Sequence, residues 1–434
     1  MTQILTVCLV LGLAAAPASA ADSATIQATV QALGIMVGDE NGSMNLSANV
    51  TRAHFCKMMV AASVYKDTVD EEGGMSLFSD VRASHWAAEY IRVAVEQGWF
   101  QGYSDGTFRP EKTITTEEAA AALLRLLGYE DSDLAGTYPN AQLSKFRSLG
   151  LGDGISVSRG QTVSRSDAMY MFYNLMTAQT KSGSVYATTL GYTLTAGGEL
   201  NYAGIVENDL SGPYTRNPGE ALQLPFSGGN ITVYLNGTAA SLSDVDTYDI
   251  YYYNENLRTV YAYSNRVTGT YTAASPSTMS PSSVTVAGVS YEVSTASAAY
   301  KLSAMGGFSL GDQVTLLLGM DGTVADVIAA AENDEITYGV VVGSTQKSYT
   351  DESGAVQTSS VVRVACTDGV VREYETAGTY RNGAMVSISY AGSQSGVRSL
   401  SSRSLSGKVS TDGTKIGDYT FAENVQILDT DEYG

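Results

Sequence analysis

The alternation of apolar and polar positions changes period once along this chain. Between Asp22 and about Lys181 apolar residues recur at helical spacing. Trp86, Ala87, Tyr90, Ile91, Ala94 and Val95 fall on one face of a helix, as do Ala119, Ala120, Leu123, Leu124 and Leu127. Phe55, Met58, Met59 and Ala62 form another such stripe, and Ala168, Met171, Phe172, Leu175 and Met176 a further one. From about Ser182 onward the period becomes two. Val386, Ile388 and Tyr390 alternate with Ser387 and Ser389, and Val362, Val364 and Cys366 with Arg363 and Ala365. Gln179–Ser184 reads as the join. The pattern predicts a multidomain α plus all-β protein, a helical part followed by tandem antiparallel β modules.

The helical part repeats. Gly34-Ile-Met-Val-Gly38 returns as Gly98-Trp-Phe-Gln-Gly102 and, more loosely, as Gly150-Leu-Gly-Asp-Gly154. Each is followed by Thr51-Arg-Ala-His54, Thr115-Thr-Glu-Glu118 or Ser164-Arg-Ser-Asp167. A Thr or Ser with Glu or Asp three residues on is a capping box, which opens the second helix of a unit. Gly38 and Gly102 suit a turn after the first helix. A pair of short helices cannot bury its own apolar face, and three pairs together can. The units are expected at 22–66, 77–130 and 131–180.

The second part repeats as well. Gly204-Ile-Val, Gly269-Thr-Tyr, Gly339-Val-Val and Gly407-Lys-Val recur at near-regular intervals. The first three precede aligned strands centred on Ile250, Val314 and Val386. Asn236-Gly237, Asp321-Gly322, Asp368-Gly369 and Asp412-Gly413 are two-residue turn signals between extended runs. After a linker and lead-in strand at 181–203, β modules are expected at 204–266, 267–335 and 336–404, each a small barrel or compact sandwich. Residues 405–434 read as part of a fourth, so the natural chain is expected to continue past Gly434.

Composition narrows the chemistry. A formal net charge of −20 and a pI near 4.4 exclude a nucleic-acid-binding surface. With two histidines, His54 and His85, a multi-His metal site or a His-based triad is excluded over most of the chain. Residues 1–20 end an apolar run with Pro17-Ala18-Ser19-Ala20, the pattern of a secretory signal cleaved after Ala20, although no Lys or Arg precedes the run. The run is shorter than the ~20 residues that span a bilayer, and no transmembrane segment is expected. Cys8 leaves with the signal, and Cys56 and Cys366 are expected to be free, buried thiols. In the β part Asp244-x-Asp246-x-x-Asp249 lacks the full calcium-loop pattern and reads as a solvated acidic loop. The Tyr248–Tyr253 run reads as strand rather than as a glycan-stacking surface. No catalytic residue, metal ligand or cofactor site is singled out, and the chain is expected not to be an enzyme.

The middle unit resembles the S-layer homology domain. Phe78-Ser-Asp-Val81, Trp86-Ala87, Ile91, Gly98, Gly102-Tyr-Ser-Asp-Gly-Thr-Phe-Arg-Pro110 and Ile114-Thr-Thr-Glu-Glu118 carry the likeness, which extends over roughly residues 22–180. The resemblance implies a pseudo-threefold bundle whose grooves hold a pyruvylated or otherwise anionic secondary cell-wall polysaccharide. It assigns glycan-binding roles to Arg52 and Arg165, the motif arginines, and to Asp80, Trp86 and Gly102. A guanidinium grips a carboxylate bidentately and an aromatic face covers a sugar ring. The match is uneven: Thr116 stands at the arginine position of the second unit, His54 replaces the acidic residue of the first, and units one and three show no matching Trp. Simpler roles stand beside these: Trp86 as core, Asp80 as cap of the following helix, Arg52 and Arg165 as exposed first-turn residues, and His85 as a surface residue. The implied protein is secreted, lies in the cell wall or S-layer of a Gram-positive type bacterium, and displays β modules as spacers or self-associating layer elements. The rival from another class is a wall-anchored enzyme or carbohydrate-binding protein with its active module in the β part or beyond residue 434.

Overall fold

A computed structural model describes residues 21–69, 76–350, 354–390, 396–401, 405–422 and 425. The expected signal, 1–20, and residues 426–434 of the expected fourth module lie outside the described residues. Three helix pairs come first: α1 (Ser23–Ala32) with α2 (Arg52–Ala61), α3 (Ala88–Glu96) with α4 (Thr116–Leu126), and α5 (Asn140–Ser148) with α6 (Arg165–Thr177). The first helix of each pair ends on a left-handed glycine, Gly34, Gly98 or Gly150, at φ 68°, 72° and 71°. A side chain is strained there and glycine is not. The helix stop is therefore the first glycine of each repeated pair, not Gly38 or Gly102. Those two are needed for close contact instead: a Cβ on Gly38 would lie 2.6 Å from the backbone of Gly42.

The three pairs close on one another through backbone hydrogen bonds. Val50 N–H donates to Val163 O (2.8 Å), Val163 N–H to Ile114 O (3.0 Å), and Ile114 N–H to Val50 O (3.0 Å). A second ring runs outside it, from Arg52 N–H to Lys112 O, Thr116 N–H to Gln161 O and Arg165 N–H to Ala48 O, at 2.8–2.9 Å. Each segment entering a second helix thus satisfies its amides on the neighbouring unit, and the bundle is pseudo-threefold. Beneath the rings lies one core that includes Phe55, Phe108, Phe146, Phe172, Leu123 and Met59, all fully buried. Each such side chain contributes roughly 1.5–3 kcal/mol on burial. Cys56 sits among them as a free thiol.

The helical core does not stop at the expected join. Helices α7 (Tyr186–Thr189) and α8 (Tyr202–Asn208) follow, and Tyr186, Ala187, Leu200, Ile205 and Val206 are buried in the same core. The Tyr186 hydroxyl donates to Ala62 O at 2.8 Å. Gly204-Ile-Val, expected to lead a β module, is therefore helical. Its apolar pair is too short to declare a period and is drawn onto the existing helical surface.

Three five-stranded sheets make up most of the rest, and among the described residues none forms a closed barrel, although one bridge, Val293 to Val324, links the two outer strands of the second. Sheet one holds β1 (Ser211–Thr215), β2 (Thr232–Leu235), β3 (Thr238–Ala240), β4 (Ile250–Asn254) and β5 (Thr259–Tyr263), in the order β1-β4-β5-β2-β3. Sheet two holds β6 (Arg266–Ser275), β7 (Ser283–Val286), β8 (Val289–Glu292), β9 (Gln313–Leu318) and β10 (Val324–Ala329), in the order β10-β9-β6-β7-β8. Helix α9 (Ala296–Lys301) lies between β8 and β9. Sheet three holds β11 (Thr337–Thr350), β12 (Val356–Cys366), β13 (Val371–Glu375), β14 (Met385–Ser389) and β15 (Gly396–Ser399). Its order, β13-β12-β11-β14-β15, is that of sheet two read from the other edge. In sheet one the central place belongs to the last strand, β5, which pairs parallel with β2, so this module is not wholly antiparallel.

The sheets are not independent beads. Val267, Leu316, Val341, Val364 and Val386 share one core, so sheets two and three are packed as a unit. Cys366 is buried there as a free thiol, 3.7 Å from the Tyr374 hydroxyl. Ile250 and Tyr252 of sheet one meet Leu317, Ala325 and Ile328 of sheet two. Sheet one in turn reaches the helical core through Tyr261. Residues 405–422 form a small hairpin around β16 (Lys415–Ile416) and β17 (Tyr419–Thr420) that pairs with none of the three sheets.

Candidate functional site

The second helices of the three units start in the same way, and their first turns frame the seams between units. Thr51, Thr115 and Ser164 accept the N–H of the residue three positions on, at 3.2, 3.4 and 3.1 Å. Glu118 and Asp167 return the bond to the cap N–H, completing capping boxes. His54 does not. Its Nδ1 lies 2.7 Å from the Thr51 hydroxyl instead.

Arg52 and Arg165 occupy the first position of their helices and make matching contacts. Arg52 Nε donates to Phe108 O and its Nη2 to Gln101 O, each at 3.0 Å. Arg165 Nε donates to Met44 O (2.7 Å) and its Nη2 to Val37 O (2.8 Å), the corresponding carbonyls of unit one. Arg52 is buried, stacks over Phe108 with 4.5 Å to the ring centroid, and has Glu118 3.5 Å from Nη1. Arg165 is half buried, which draws its pKa down against the opposing pull of Asp39. Both guanidiniums are engaged as clamps that hold the next unit's loop. Thr116, at the same position of unit two, reaches Gln161 O with its hydroxyl at 3.2 Å.

Asp80 is equally committed. Its two carboxylate oxygens accept the N–H groups of Phe108 (2.8 Å) and Arg109 (2.7 Å). Arg109 is left-handed at φ 59°, and Asp80 holds it there. Asp80 does not cap α3, whose cap position is Ala87 with no side-chain bond. Gly102 makes room for an aromatic ring: a Cβ there would lie 2.1 Å from Phe78. The same loop gathers Arg109, Arg52 and Lys112 around Tyr103, at 4.0, 5.0 and 5.3 Å from its ring centroid.

Trp86 differs from all of these. It precedes α3 and is 45 % exposed, so it is not core despite sharing the helical stripe. His54 of unit one lies 4.8 Å from its ring and His85 stacks on it at 5.8 Å and 27°. His85 is held in turn, with Nδ1 accepting from Ala87 N–H (3.1 Å) and Nε2 3.4 Å from Glu111. Both histidines of the chain therefore flank one exposed indole at the seam of units one and two. The next seam has a counterpart that the sequence reading missed. Tyr138 precedes α5 as Trp86 precedes α3, and it is 57 % exposed. The step from Gly98 to Gly150 carries Trp86 onto Tyr138, and that alignment was the available signal. The Tyr138 hydroxyl is pushed above its ordinary pKa by partial burial and then by Glu117 and Glu118.

The loop of the third seam, between units three and one, is covered by sheet one. Asn230 Nδ2 donates to Asn41 O at 3.0 Å, and a Cβ on Gly42 would lie 3.1 Å from the Arg258 side chain. Two cavities of about 250 and 290 Å³ flank Lys66, Asp67 and Tyr192 near this junction, and neither reaches Trp86. In the β part the Asp244 carboxylate accepts the N–H of the cap residue Ser241, and Asp249 is buried against Arg266 at 3.0 Å rather than solvated. Tyr251 and Tyr252 are buried too. Among the described residues no cluster of His, Cys, Asp and Glu is arranged to hold a metal ion. No helix among them is long and apolar enough to cross a membrane.

A closed ring of three helix pairs, with an exposed aromatic at a seam, defines a small repeat-built helical domain. Residues 77–120, which are the core of unit two, match the model of the S-layer homology domain. The chain carries that domain. It is 27 % identical over 161 residues to the middle cell wall protein of Brevibacillus brevis, covering 37 % of this chain and 15 % of that one. It is 30 % identical over 122 residues to the surface layer protein of Brevibacillus choshinensis, covering 28 % and 11 %. A cellulosome-anchoring protein of Acetivibrio thermocellus is 33 % identical over 90 residues, 21 % of this chain and 20 % of that protein. The matched parts thus span only a small fraction of these relatives.

Proposed function

We propose that this chain is an exported surface protein held non-covalently on the wall of a Gram-positive type bacterium. The helical bundle binds an anionic, pyruvylated secondary polysaccharide, and the β sheets serve as structural display elements that self-associate in a surface layer. The observation that carries the reading is Trp86, an exposed indole inside the segment that matches the S-layer homology domain. Its ring offers a sugar face at the seam of units one and two, where Arg52 of unit one and Asp80 of unit two are occupied by backbone groups. Units one and three are read as divergent copies of the same domain, because they share its hydrogen-bond rings and its clamp position. The chain is read as non-catalytic, in keeping with a β part whose Asp249, Tyr251 and Tyr252 are engaged in packing.

The test is sedimentation of residues 21–422 with purified cell walls, before and after chemical removal of their polysaccharide. Pelleting that depends on the polysaccharide and is lost in Trp86→Ala supports the reading. Equal pelleting with stripped walls defeats it.

A further inference from the structure

Unit one departs from the other two at the third residue of its second helix. Units two and three carry Glu118 and Asp167 there, and unit one carries His54. We propose that His54 is a ligand-contacting, specificity-determining residue: it makes the Trp86 seam accept an acidic sugar, while the carboxylates beside Tyr138 make the next seam reject one. The inference rests on the wall-glycan reading above.

The geometry places the imidazole where a ligand on Trp86 meets it. The two rings are 4.8 Å apart and tilted by 43°, so they form one open corner rather than a closed stack. Nδ1 is taken by Thr51, which leaves Nε2 for a ligand; among the described residues no side chain bonds it. Thr51 suits both charge states. Its hydroxyl donates to Nδ1 of the neutral ring and accepts from Nδ1–H of the charged one, while still accepting His54 N–H as the helix cap. The proton is gained without losing the cap. A carboxylate at this position, as in the other units, would repel an acidic ligand and be tied to its own capping box.

The groups facing His54 come from three elements. Glu111, from the segment before α4, favours the charged ring, while Arg165 of α6 and Lys57 of α2 oppose it. Partial burial against its neighbours is the largest influence, and the net effect holds His54 below the ordinary imidazole value. An incoming carboxylate adds its counter-charge to that of Glu111, so binding takes up a proton and strengthens as pH falls. His85, fixed between Ala87 N–H and Glu111, is the positioning residue on the other side of the indole. At the second seam Glu117 and Glu118 of α4 are the strongest charged neighbours of Tyr138, and Arg125 of α4 and Lys112 oppose them more weakly.

The test uses the full chain and polysaccharide released from purified walls, native or with its carboxyls amidated by carbodiimide. Binding is read from iodide-quenchable tryptophan emission, which reports Trp86 because Trp99 is buried. Native polymer should bind roughly tenfold more tightly at about pH 5.5 than at about pH 7.5, across the ordinary histidine range. His54→Gln should bind with the neutral-pH affinity at both. His54→Glu, which rebuilds the capping box, should fold at least as stably as the parent and bind more weakly at both. A pH dependence that survives in His54→Gln, or an unchanged profile with amidated polymer, overturns the role of His54 and leaves the wall-glycan reading standing. If native polymer fails to bind at either pH and Trp86→Ala pellets with walls like the parent, both fall.

Discussion

Asn230 of the β part donates to the carbonyl of Asn41 in the loop of unit one, 3.0 Å away. In unit two the corresponding loop is covered from within: Ser79 N–H donates to Gly106 O and Asp80 holds Phe108 and Arg109. Beside Gly42, the counterpart of Gly106, the cover is Arg258 and Asn230 instead. Sheet one therefore does for unit one what the Phe78–Val81 segment does for unit two.

A fragment ending at residue 180 should accordingly be a poor folding unit. It lacks Tyr186, Ala187, Leu200, Ile205, Val206 and Tyr261, all buried in the helical core. At roughly 1.5–3 kcal/mol for each large apolar side chain, the loss is comparable with the ~5–15 kcal/mol total stability of a domain. Circular dichroism melts should show a broad or absent transition for 21–180 and a cooperative one for 21–263. Equal cooperativity in the two would refute the assignment.

Arg52→Ala should destabilise by about 3 kcal/mol, because the buried carbonyl of Phe108 and the part-buried carbonyl of Gln101 lose their charged donor and Glu118 is left with Lys112 as its cation. Arg165→Ala, half buried, should cost about 1–2 kcal/mol. Urea midpoints measure both. If either arginine leaves stability unchanged and abolishes wall binding, the clamp role is wrong and the ligand role returns.

Asp80→Ala should lower stability by about 1–2 kcal/mol by releasing the amides of Phe108 and Arg109. Arg109→Gly in that background should return about 1 kcal/mol, since glycine takes φ 59° without strain. Absence of any such rescue would show that Asp80 does not act through this backbone.

The pH dependence of stability follows from His54. Its folded pKa lies below the ordinary value, so the unfolded chain takes up the proton first and stability falls as pH drops through the histidine range. His54→Glu should remove this slope and add about 0.5–1 kcal/mol at neutral pH through the restored cap. Guanidinium titrations of both proteins at several pH values give the comparison. A slope unchanged in the variant would assign it to other groups.

Cys56 and Cys366 should react slowly with a thiol reagent in the native protein and fully on unfolding. Both are buried, and burial pushes the Cys56 thiol well above its ordinary pKa. Rapid native labelling of either would contradict their placement.

Much of this architecture is legible in the sequence where period and spacing act together. The glycine marks of modules two and three are register partners of their aligned strands: Gly269 pairs with Val314 and Gly339 with Val386. Both glycines are required by close approach, since a Cβ would meet Ala287 or the carbonyl of Ala365. Gly204 has the same letters around it and no such partner, because the central strand of sheet one is β5. The site was less legible. Arg52 and Asp80 read as ligand groups through the family resemblance, and the main-chain partners they hold in the structure are ones that no side-chain pattern reports. Trp86 fell on an apolar stripe one turn too early, where the chain is not yet helical.

The junction between the helical bundle and sheet one also fixes how a pull is carried. A protein held at one end and loaded at the other is only as strong as its weakest connection, and a lone covalent segment at 181–210 would give way first by uncoiling. Here that segment is itself folded into the helical core, and Tyr261, Asn230 and Arg258 cross beside it. Tension from the β part is thus shared between the chain itself and these side-chain contacts. The connection therefore acts as a bonded joint and not as a tether.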